Sequence, residues 1–478
     1  MSLKKITALL SAALLCFSLA ACKGERIETQ EIVPPTPIAA ENLIDYTQDP
    51  TTLEHVETLQ ASFEGLAETD AAEFTMEEAD GKLWVKSYNG TATAVRVPAR
   101  VGEMAVVGVA DGAFAKNETL EFLYLPDSIT ELGVGILAEC RSLKSLRTPL
   151  LGKNAADESP YLGYLFFAPS EIYATATYLD NPIHLPASLK YLELGGMAAI
   201  PDYALYDCNK LECLRLSETV RTVGDFALYN CKSLLAINIE DLVEIGTYAF
   251  ADCAALTRLT LGDALTEVGF GALEGCGAIR RMSLPFVGGS RTENGYLAYI
   301  FGASDPEFSK GYVPPYLAEI ELTSATSLSD CAFYECHTLT AIKLPETLTE
   351  IGIRAFANCT RLQSLALPAT LQTIKENAFF GCHSLKSVTF AESAVLSSVG
   401  INAFYNCVSL TEIALPQSLA SLPASVFAGC KSLTTVDLGG VTSVGKNAFR
   451  NCDSLTSATA KDKIKIEKGN AVLKDLLK

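Results

Sequence analysis

Cysteine and histidine hold most of the reactive chemistry in this chain, with fifteen of the first and four of the second in 478 residues. A thiolate beside an imidazole is a nucleophile. Pairs of Cys or His two to four residues apart hold zinc. Cysteines in an exported chain pair as disulfides. Spacing separates these options. Eleven cysteines, Cys140, Cys208, Cys231, Cys253, Cys276, Cys336, Cys359, Cys382, Cys407, Cys430 and Cys452, stand three residues after a Phe or Leu and three before a Leu or Ile. Neighbours lie 22, 23 or 25 residues apart, except for two gaps of 68 and 60. Such regularity puts all these side chains in one register, pointing in parallel into a common core. A bridge needs its two Cβ atoms facing one another about 3.8 Å apart, so the spacing favours free thiols packed as small hydrophobes.

The remaining candidates are weak. His337 and His383 each follow a repeat cysteine, in a slot that elsewhere holds Lys232, Thr360 or Lys431. A slot that accepts any polar residue is a surface position and not a ligand position. No nucleophile elbow, zinc-helix or phosphate-loop string occurs in the sequence. The expectation is a protein with no catalytic residues, no metal and no cofactor. Cys213 and Cys331 stand off the repeat register. Cys213 falls on a strand at an outward position and is expected to be the exposed, reactive thiol.

The elements that position these residues are legible in "LTAIKLPETLTEIGIRAFANCTRLQSLALP", residues 339–368. Leu339-x-x-Ile342-x-Leu344 alternates as a short strand and stops at Pro345. Leu348-x-x-Ile351-Gly352 is a second extended piece with a glycine turn, and Ala355-Phe356-x-x-Cys359 is one helical turn. One such unit cannot bury its own apolar side, whereas stacked copies share a continuous core. The sequence predicts an α/β repeat solenoid. Its strand side chains alternate, so the residues flanking each middle aliphatic face away from the core.

Charge and the amino terminus bound the function. From Lys23 to Asp80 there are 15 acidic residues against two basic ones, which supplies 13 of the 19 net negative charges. An acidic stalk on a nearly neutral body lacks the basic face that a nucleic-acid binder needs. Lys4-Lys5 precede an apolar run, Ile6 to Ala21, that is about the length of a signal segment and short for a membrane span. The run ends in Leu19-Ala20-Ala21-Cys22, which resembles the lipobox of bacterial lipoproteins. That resemblance implies cleavage before Cys22, lipid modification of Cys22, and an exported chain held at the cell envelope by that lipid alone. Residues 1–21 are then signal peptide. Residues 22–75 form an acidic, proline-containing tether with a short amphipathic helix at Leu53, Val56, Leu59, Phe63 and Leu66, whose apolar face caps the body. Residues 76–460 form the solenoid, with longer repeats near 147–186 and 285–315, and 461–478 form a terminal cap or tail.

The repeat itself resembles the BspA-type leucine-rich repeats of bacterial surface proteins, whose pattern is LTSLKLPxxLxxIGxxAFxxCxxL. The resemblance covers roughly residues 80–460 and recurs about a dozen times, in agreement with the 20–29-residue period of leucine-rich repeats. It implies a right-handed coil with short parallel strands on its concave face, and a non-enzymatic binding protein engaged in adhesion to host matrix or a neighbouring cell. A structural envelope protein, or a lipoprotein whose tyrosines stack on glycans, is the alternative. Aromatics gather on the outward positions of the first strands and arginines on the middle ones, and both types anchor interfaces. The expected protein-binding face is Phe122, Tyr124, Tyr191, Arg215, Arg258 and Arg281. The excursions of the two long repeats, with Tyr161, Tyr164, Tyr296, Tyr299 and Tyr312, offer a second surface or pack onto the solenoid.

Overall fold

In the computed structural model of the chain, the described residues are 50–157, 160–167, 185–293, 295–461 and 463–477. The chain divides into Met1–Asp45, which lies outside the described residues, and Tyr46–Lys478, to which everything below belongs. The signal segment and Cys22 therefore fall outside the described residues as well.

Each coil is built by the same sequence events. In one, Leu365 and Leu367 of the strand Ser364–Leu367 turn inward while Ser364 and Ala366 face out. Pro368 has no amide hydrogen to continue the ladder, and the chain turns there with Leu371 N–H on the Pro368 carbonyl at 3.2 Å. A two-residue strand, Thr373–Ile374, forms the second side. Phe379 lies on the third side, between two residues in the left-handed region, Asn377 at φ 55° and Gly381 at φ 70°. Asparagine is one of the few side chains that tolerates this region; Asn402 and Asn406, and Asn447 and Asn451, fill the same two slots in later coils. Cys331, at φ 61°, occupies the first of these slots, which is why it stands off the core register.

Coils are hydrogen-bonded to one another on all three sides. The longer strands form parallel ladders, such as Ser364–Leu367 with Ser387–Phe390, and the short ones form a second set, such as Thr373–Ile374 with Ser398–Val399. On the turn side, Phe379 N–H donates to Ala403 O at 2.7 Å. The result is a parallel-strand leucine-rich-repeat solenoid, as its period predicts.

The repeat Phe and Cys form two columns inside it. Phe333, Phe356, Phe379, Phe404, Phe427 and Phe449 stack with ring centroids 5.0–5.4 Å apart. All the described cysteines are free thiols. Most repeat thiols donate to the carbonyl of the Phe slot one coil back: Cys359 Sγ to Phe333 O is 3.0 Å, Cys382 Sγ to Phe356 O 3.1 Å, and Cys430 Sγ to Phe404 O 3.2 Å. Cysteine suits the slot because it fills a small apolar space and still offers a donor to a carbonyl with a spare lone pair.

The two gaps in cysteine spacing each hold a further coil whose turn lacks the thiol. Leu162–Leu165 and Leu297–Phe301 form short 3-10 turns in the place of the Phe-x-x-Cys turn. Their bonding confirms the placement, since Leu137 N–H reaches Leu165 O and Leu162 N–H reaches Ala204 O, both within 2.9 Å. The chain then continues the same ladder: Ser145–Thr148 pairs with Tyr191–Leu194, and Arg281–Leu284 with Glu319–Leu322.

The ends are capped, as a stacked array requires. An antiparallel hairpin, Phe74–Ala79 with Lys82–Tyr88, covers the first coil. At the other end the helix Ala471–Leu476 inserts Leu473, and the buried Asn470 side chain bonds Phe449 N–H and Gly445 O, each at 2.9 Å.

Candidate interaction face on the strand ladder

The outward positions of the longer strands form a face of two rows. The structure divides this face sharply. Across its first strands lies a strap made of the helix Pro50–Gln60 and the turn Ala61–Phe63. The strap presents Val56, Leu59, Phe63 and Leu66 to Phe122, Tyr124, Tyr191, Cys213 and Ala236, and these form an apolar cluster separate from the main core. Phe63 sits edge-on to Tyr124 at 5.6 Å and beside Tyr191 at 5.9 Å. The apolar side of this stretch, Val56, Leu59, Phe63 and Leu66, lies against the strand ladder.

This position corrects two expectations. Tyr191 is 0 % exposed and cannot belong to an open face. Burial and the neighbouring Glu193 carboxylate push its phenol pKa well up, and its hydroxyl donates to Glu193 at 3.0 Å. Cys213, expected to be the exposed and reactive thiol, is also 0 % exposed. Burial pushes its pKa up to about 11, against smaller downward pulls from Gln60 and Arg215. Phe122 and Tyr124 are half-buried under the same strap. Alternation sets which way a strand residue points, but it carries no information on what lies above it.

Beneath the strap is an arrangement that sequence reasoning missed. Arg147, on an outward position, is buried: it bonds Leu125 O at 2.6 Å and Asp127 Oδ1 at 2.5 Å, and lies 4.7 Å over the Tyr124 ring. Arg96 takes the other side of that contact at 4.3 Å and donates to Leu66 O at 3.2 Å. Two guanidiniums thus hold Tyr124, and one of them pins the end of the strap. A polar fringe adds Ser145 to Ser62 at 3.0 Å and His55 Nε2 to Glu212 Oε2 at 2.6 Å. Glu212 also pairs with Lys190 at 2.8 Å. Burial acts to raise its pKa, but the hydrogen bonds from Lys190 and His55 outweigh it and hold it below the usual carboxylate range.

Past the strap the face is open. Arg215 and Arg258 are exposed, and Arg281 is partly so. Arg258 and Arg281 lie side by side in register on adjacent strands. Arg281 is paired with Glu319 through two contacts of 2.8 and 2.6 Å. The next strand pair carries Lys343 on Glu321 at 2.6 Å. Beyond it the outward residues are mostly small, as at Ser364, Ala366, Ser387, Thr389 and Thr435, with the acidic Glu412 and Asp437 among them. Of the six residues proposed as one face, the structure brings Phe122, Tyr124 and Tyr191 into a covered cluster and leaves the three arginines on open surface.

The excursion tyrosines mostly pack. Tyr164 donates to Leu132 O and Tyr296 to Ala303 O, and Tyr299 lies edge-on to Phe270 at 5.4 Å. Tyr312 is the exception; like Phe308 and Tyr316 nearby in the sequence it is exposed, at 45 % against 59 and 43 %. A further column, Tyr203, Phe226 and Tyr248, stacks on the turn side at 5.1 Å spacing, so that neighbours cover the faces of the inner ring.

The thiols are poorly placed for nucleophilic work. Burial pushes Cys359 and Cys407 well above the ordinary thiol value. Cys331, partly exposed, is also shifted upward by burial. A nucleophile needs the opposite shift. Among the described residues, no group of three or more His, Cys, Asp or Glu side chains is placed to hold a metal ion. No helix among them is long and apolar enough to cross a membrane.

Comparison with known proteins agrees with this architecture. Residues 104–157, 184–289, 315–395 and 351–472 match the BspA type leucine rich repeat region, in six copies. Nothing among curated proteins matches the chain. Among solved structures, a leucine-rich repeat protein from Bacteroides ovatus is similar at 19 % identity, covering 84 % of this chain and 100 % of that one, with a TM-score of 0.30. A leucine rich cell surface protein from Faecalibacterium prausnitzii is similar at 20 % identity over 86 % and 97 % of the two chains, TM-score 0.29. An internalin from Listeria monocytogenes is similar at 15 % over 70 % and 85 %, TM-score 0.32.

Proposed function

The chain belongs to the family of BspA-type leucine-rich repeat proteins, and from that premise we propose that it is an envelope-anchored binding protein that grips another protein through the open part of its strand face. The observation that carries this reading is the set of outward arginines, exposed Arg215 and Arg258 and the Glu319-paired Arg281, at the edge of and beyond a strap that seals the aromatic part of the same face. Arginine brings planar, multidentate hydrogen bonding and readily anchors interfaces. The partner is a protein of host matrix or of a neighbouring cell, so the activity is adhesion and not catalysis. Cys22 carries the lipid that holds the chain to the envelope, and the acidic segment behind it spaces the solenoid from the membrane.

The test is binding of the mature full-length chain to immobilised extracellular-matrix protein and to whole neighbouring cells. Replacing Arg215, Arg258 and Arg281 together with Ala weakens capture by roughly tenfold or more if they anchor the partner. Unchanged capture sinks the assignment of the face. For the anchor, Cys22→Ala releases the protein from the membrane fraction; retention in that fraction rules out lipid at Cys22.

A glycan-binding reading draws on the exposed Phe308, Tyr312 and Tyr316. A glycan array probed with the chain and with Phe308→Ala/Tyr312→Ala decides it, because a glycan ligand is lost in the variant and a protein ligand is not.

A further inference from the structure

Resting on the reading of the strand face as the partner surface, we propose that the partner lays an extended, carboxylate-rich polypeptide segment across Arg215, Arg258 and Arg281.

The charges motivate this first. The chain carries a net charge of −19 at a pI of about 4.8, yet three outward positions on the middle strands are arginine. Arg258 and Arg281 lie directly opposite one another in a parallel pair, an arrangement that destabilises a sheet when both charges are alike. Glu319 offsets one of them by pairing with Arg281. Arg258 has no ion-pair partner among the described residues. Arg215 has none there either: its register neighbour is Glu193, whose carboxylate accepts the Tyr191 hydroxyl and lies 3.7 Å from Arg147. Two guanidiniums are therefore free to take carboxylates in bidentate geometry.

Geometry adds a spacing. Arg215 lies on Cys213–Leu216 and Arg258 on Arg258–Thr260, with Ala236–Ile237 between them in the coil order. Arg215 stands in the second outward row, level with Asn238 and Thr260, whereas Arg258 and Arg281 stand in the first, level with Cys213 and Ala236. Two coil steps of about 10 Å and two residues along the strand at about 3.3 Å each put Arg215 and Arg258 roughly 12 Å apart on a diagonal. Carboxylates about four residues apart in an extended segment running obliquely over the strands therefore fall over the two arginines. The intervening outward side chains are short. Thr260 and Ser283 flank the two arginine strands, and Asn238 is turned back onto the Leu216 backbone, accepting from its N–H at 2.7 Å and donating to its O at 2.9 Å. Nothing bulky stands between the guanidiniums, and the strap ends at Ala236, one coil short of Arg258.

The probes are fluorescein-labelled deca-L-glutamate, deca-L-lysine and short dextran sulfate, titrated with the mature full-length chain at low ionic strength and read by fluorescence anisotropy. Decaglutamate binds through the arginines, whereas any decalysine drawn to the acidic stalk binds without dependence on them. Arg215→Ala with Arg258→Ala weakens decaglutamate by roughly tenfold, with unchanged circular dichroism. Glu319→Gln, which frees Arg281, tightens it. Equal affinity in the double variant, or no binding of decaglutamate, overturns the proposal. Arginine-dependent binding of dextran sulfate without decaglutamate also overturns it and assigns the site to a sulfated glycan. The two readings fail separately: matrix capture that survives the double variant defeats the face itself, whereas capture that is lost but is not competed by decaglutamate defeats only the carboxylate assignment.

Discussion

The strand face before Ala236 and the strand face after it come from the same repeat, and they are opposite kinds of surface. Before it, the outward residues include Phe122, Tyr124, Tyr191 and Cys213, over which a strap lies, with Arg215 exposed at the far end of the Cys213 strand. After it, they are Arg258 and Arg281, paired charges and then mostly small residues, exposed or partly exposed. The change coincides with a break in the ladder, where strand pairing stops between Ala236–Ile237 and Arg258–Thr260. Asn238 stands at that break and bonds the Leu216 backbone with its side chain, in place of a neighbouring strand. The lesson is that repeat position sets only direction. Whether an outward residue becomes core or contact surface depends on the segment above it, which lies outside the repeat altogether.

The sharpest way to break this contrast is to remove the strap's anchor. Phe63→Ala deletes the ring held between Tyr124 and Tyr191, at a cost of about 3 kcal/mol in docking. With the strap released, Cys213 reacts with a thiol probe in the native protein while Cys359 and Cys430 remain protected, as read by mass spectrometry of labelled peptides. Cys213 labelling no faster than that of the repeat cysteines defeats the strap as its cover.

Arginine gives the next largest contrast, because the same residue type occurs on both halves. Arg147→Ala removes two hydrogen bonds and the contact with Tyr124 and costs about 2 kcal/mol, by lost packing and unmatched acceptors. Arg258→Ala removes no ion pair or side-chain hydrogen bond among the described residues and stays within about 0.5 kcal/mol of the parent. Denaturant midpoints of the two variants measure the difference, and equal midpoints contradict the division of the face.

Much of this was readable from the chain. The solenoid follows from the spacing of Phe, Cys and Leu, since a 23-residue clock fixes one inward register and nothing else satisfies it. The strap was half-readable: the spacing of Val56, Leu59, Phe63 and Leu66 gives a helix with one apolar side, but no local rule gives its landing place on Tyr124 and Tyr191. The extra coils at Leu162–Leu165 and Leu297–Phe301 escaped because their turns lack the Cys that marked eleven of the others. Their shared signal, Tyr161-Leu-x-Tyr164 and Tyr296-Leu-x-Tyr299, was present in the two matched long repeats. Arg147 escaped because its burial depends on the Tyr124 ring, the Leu125 carbonyl and the Asp127 carboxylate gathered around it, which spacing alone does not give.

The cysteine column allows a finer comparison within the core. Cys359 donates to the Phe333 carbonyl one coil back at 3.0 Å, whereas Cys336, first after the second excursion, faces Tyr334 O of its own turn at 3.9 Å. Both thiols are buried, so Ala at either site removes the same sulfur volume. Cys359→Ala also removes a hydrogen bond, though Phe333 O keeps the Cys336 N–H at 3.1 Å. The extra cost is about 1 kcal/mol, the net value of one such bond. Cys359→Ser, which keeps a donor, recovers part of it. Equal losses for the two alanine variants mean that the thiols act by volume alone.

The smallest effect concerns the strap's polar fringe, and its sign is set by Glu212. Its pKa is held below the usual value of 4.5, because the bonds from Lys190 and His55 outweigh burial. A carboxylate with a depressed folded pKa contributes stability that is complete above its unfolded pKa and lost as pH falls through the folded one. The strap should therefore be docked most firmly above about pH 4.5 and loosen below it. Because His55 is about half exposed, the contribution stays under about 1 kcal/mol. Hydrogen exchange over residues 54–66, corrected for intrinsic rate and compared at neutral and acid pH, follows it directly. Glu212→Gln removes the charge that titrates, so its strap should show a flatter pH response than the parent. A variant that loosens with acid as steeply as the parent assigns the effect to some other carboxylate and leaves the apolar contacts of Phe63 as the strap's principal hold.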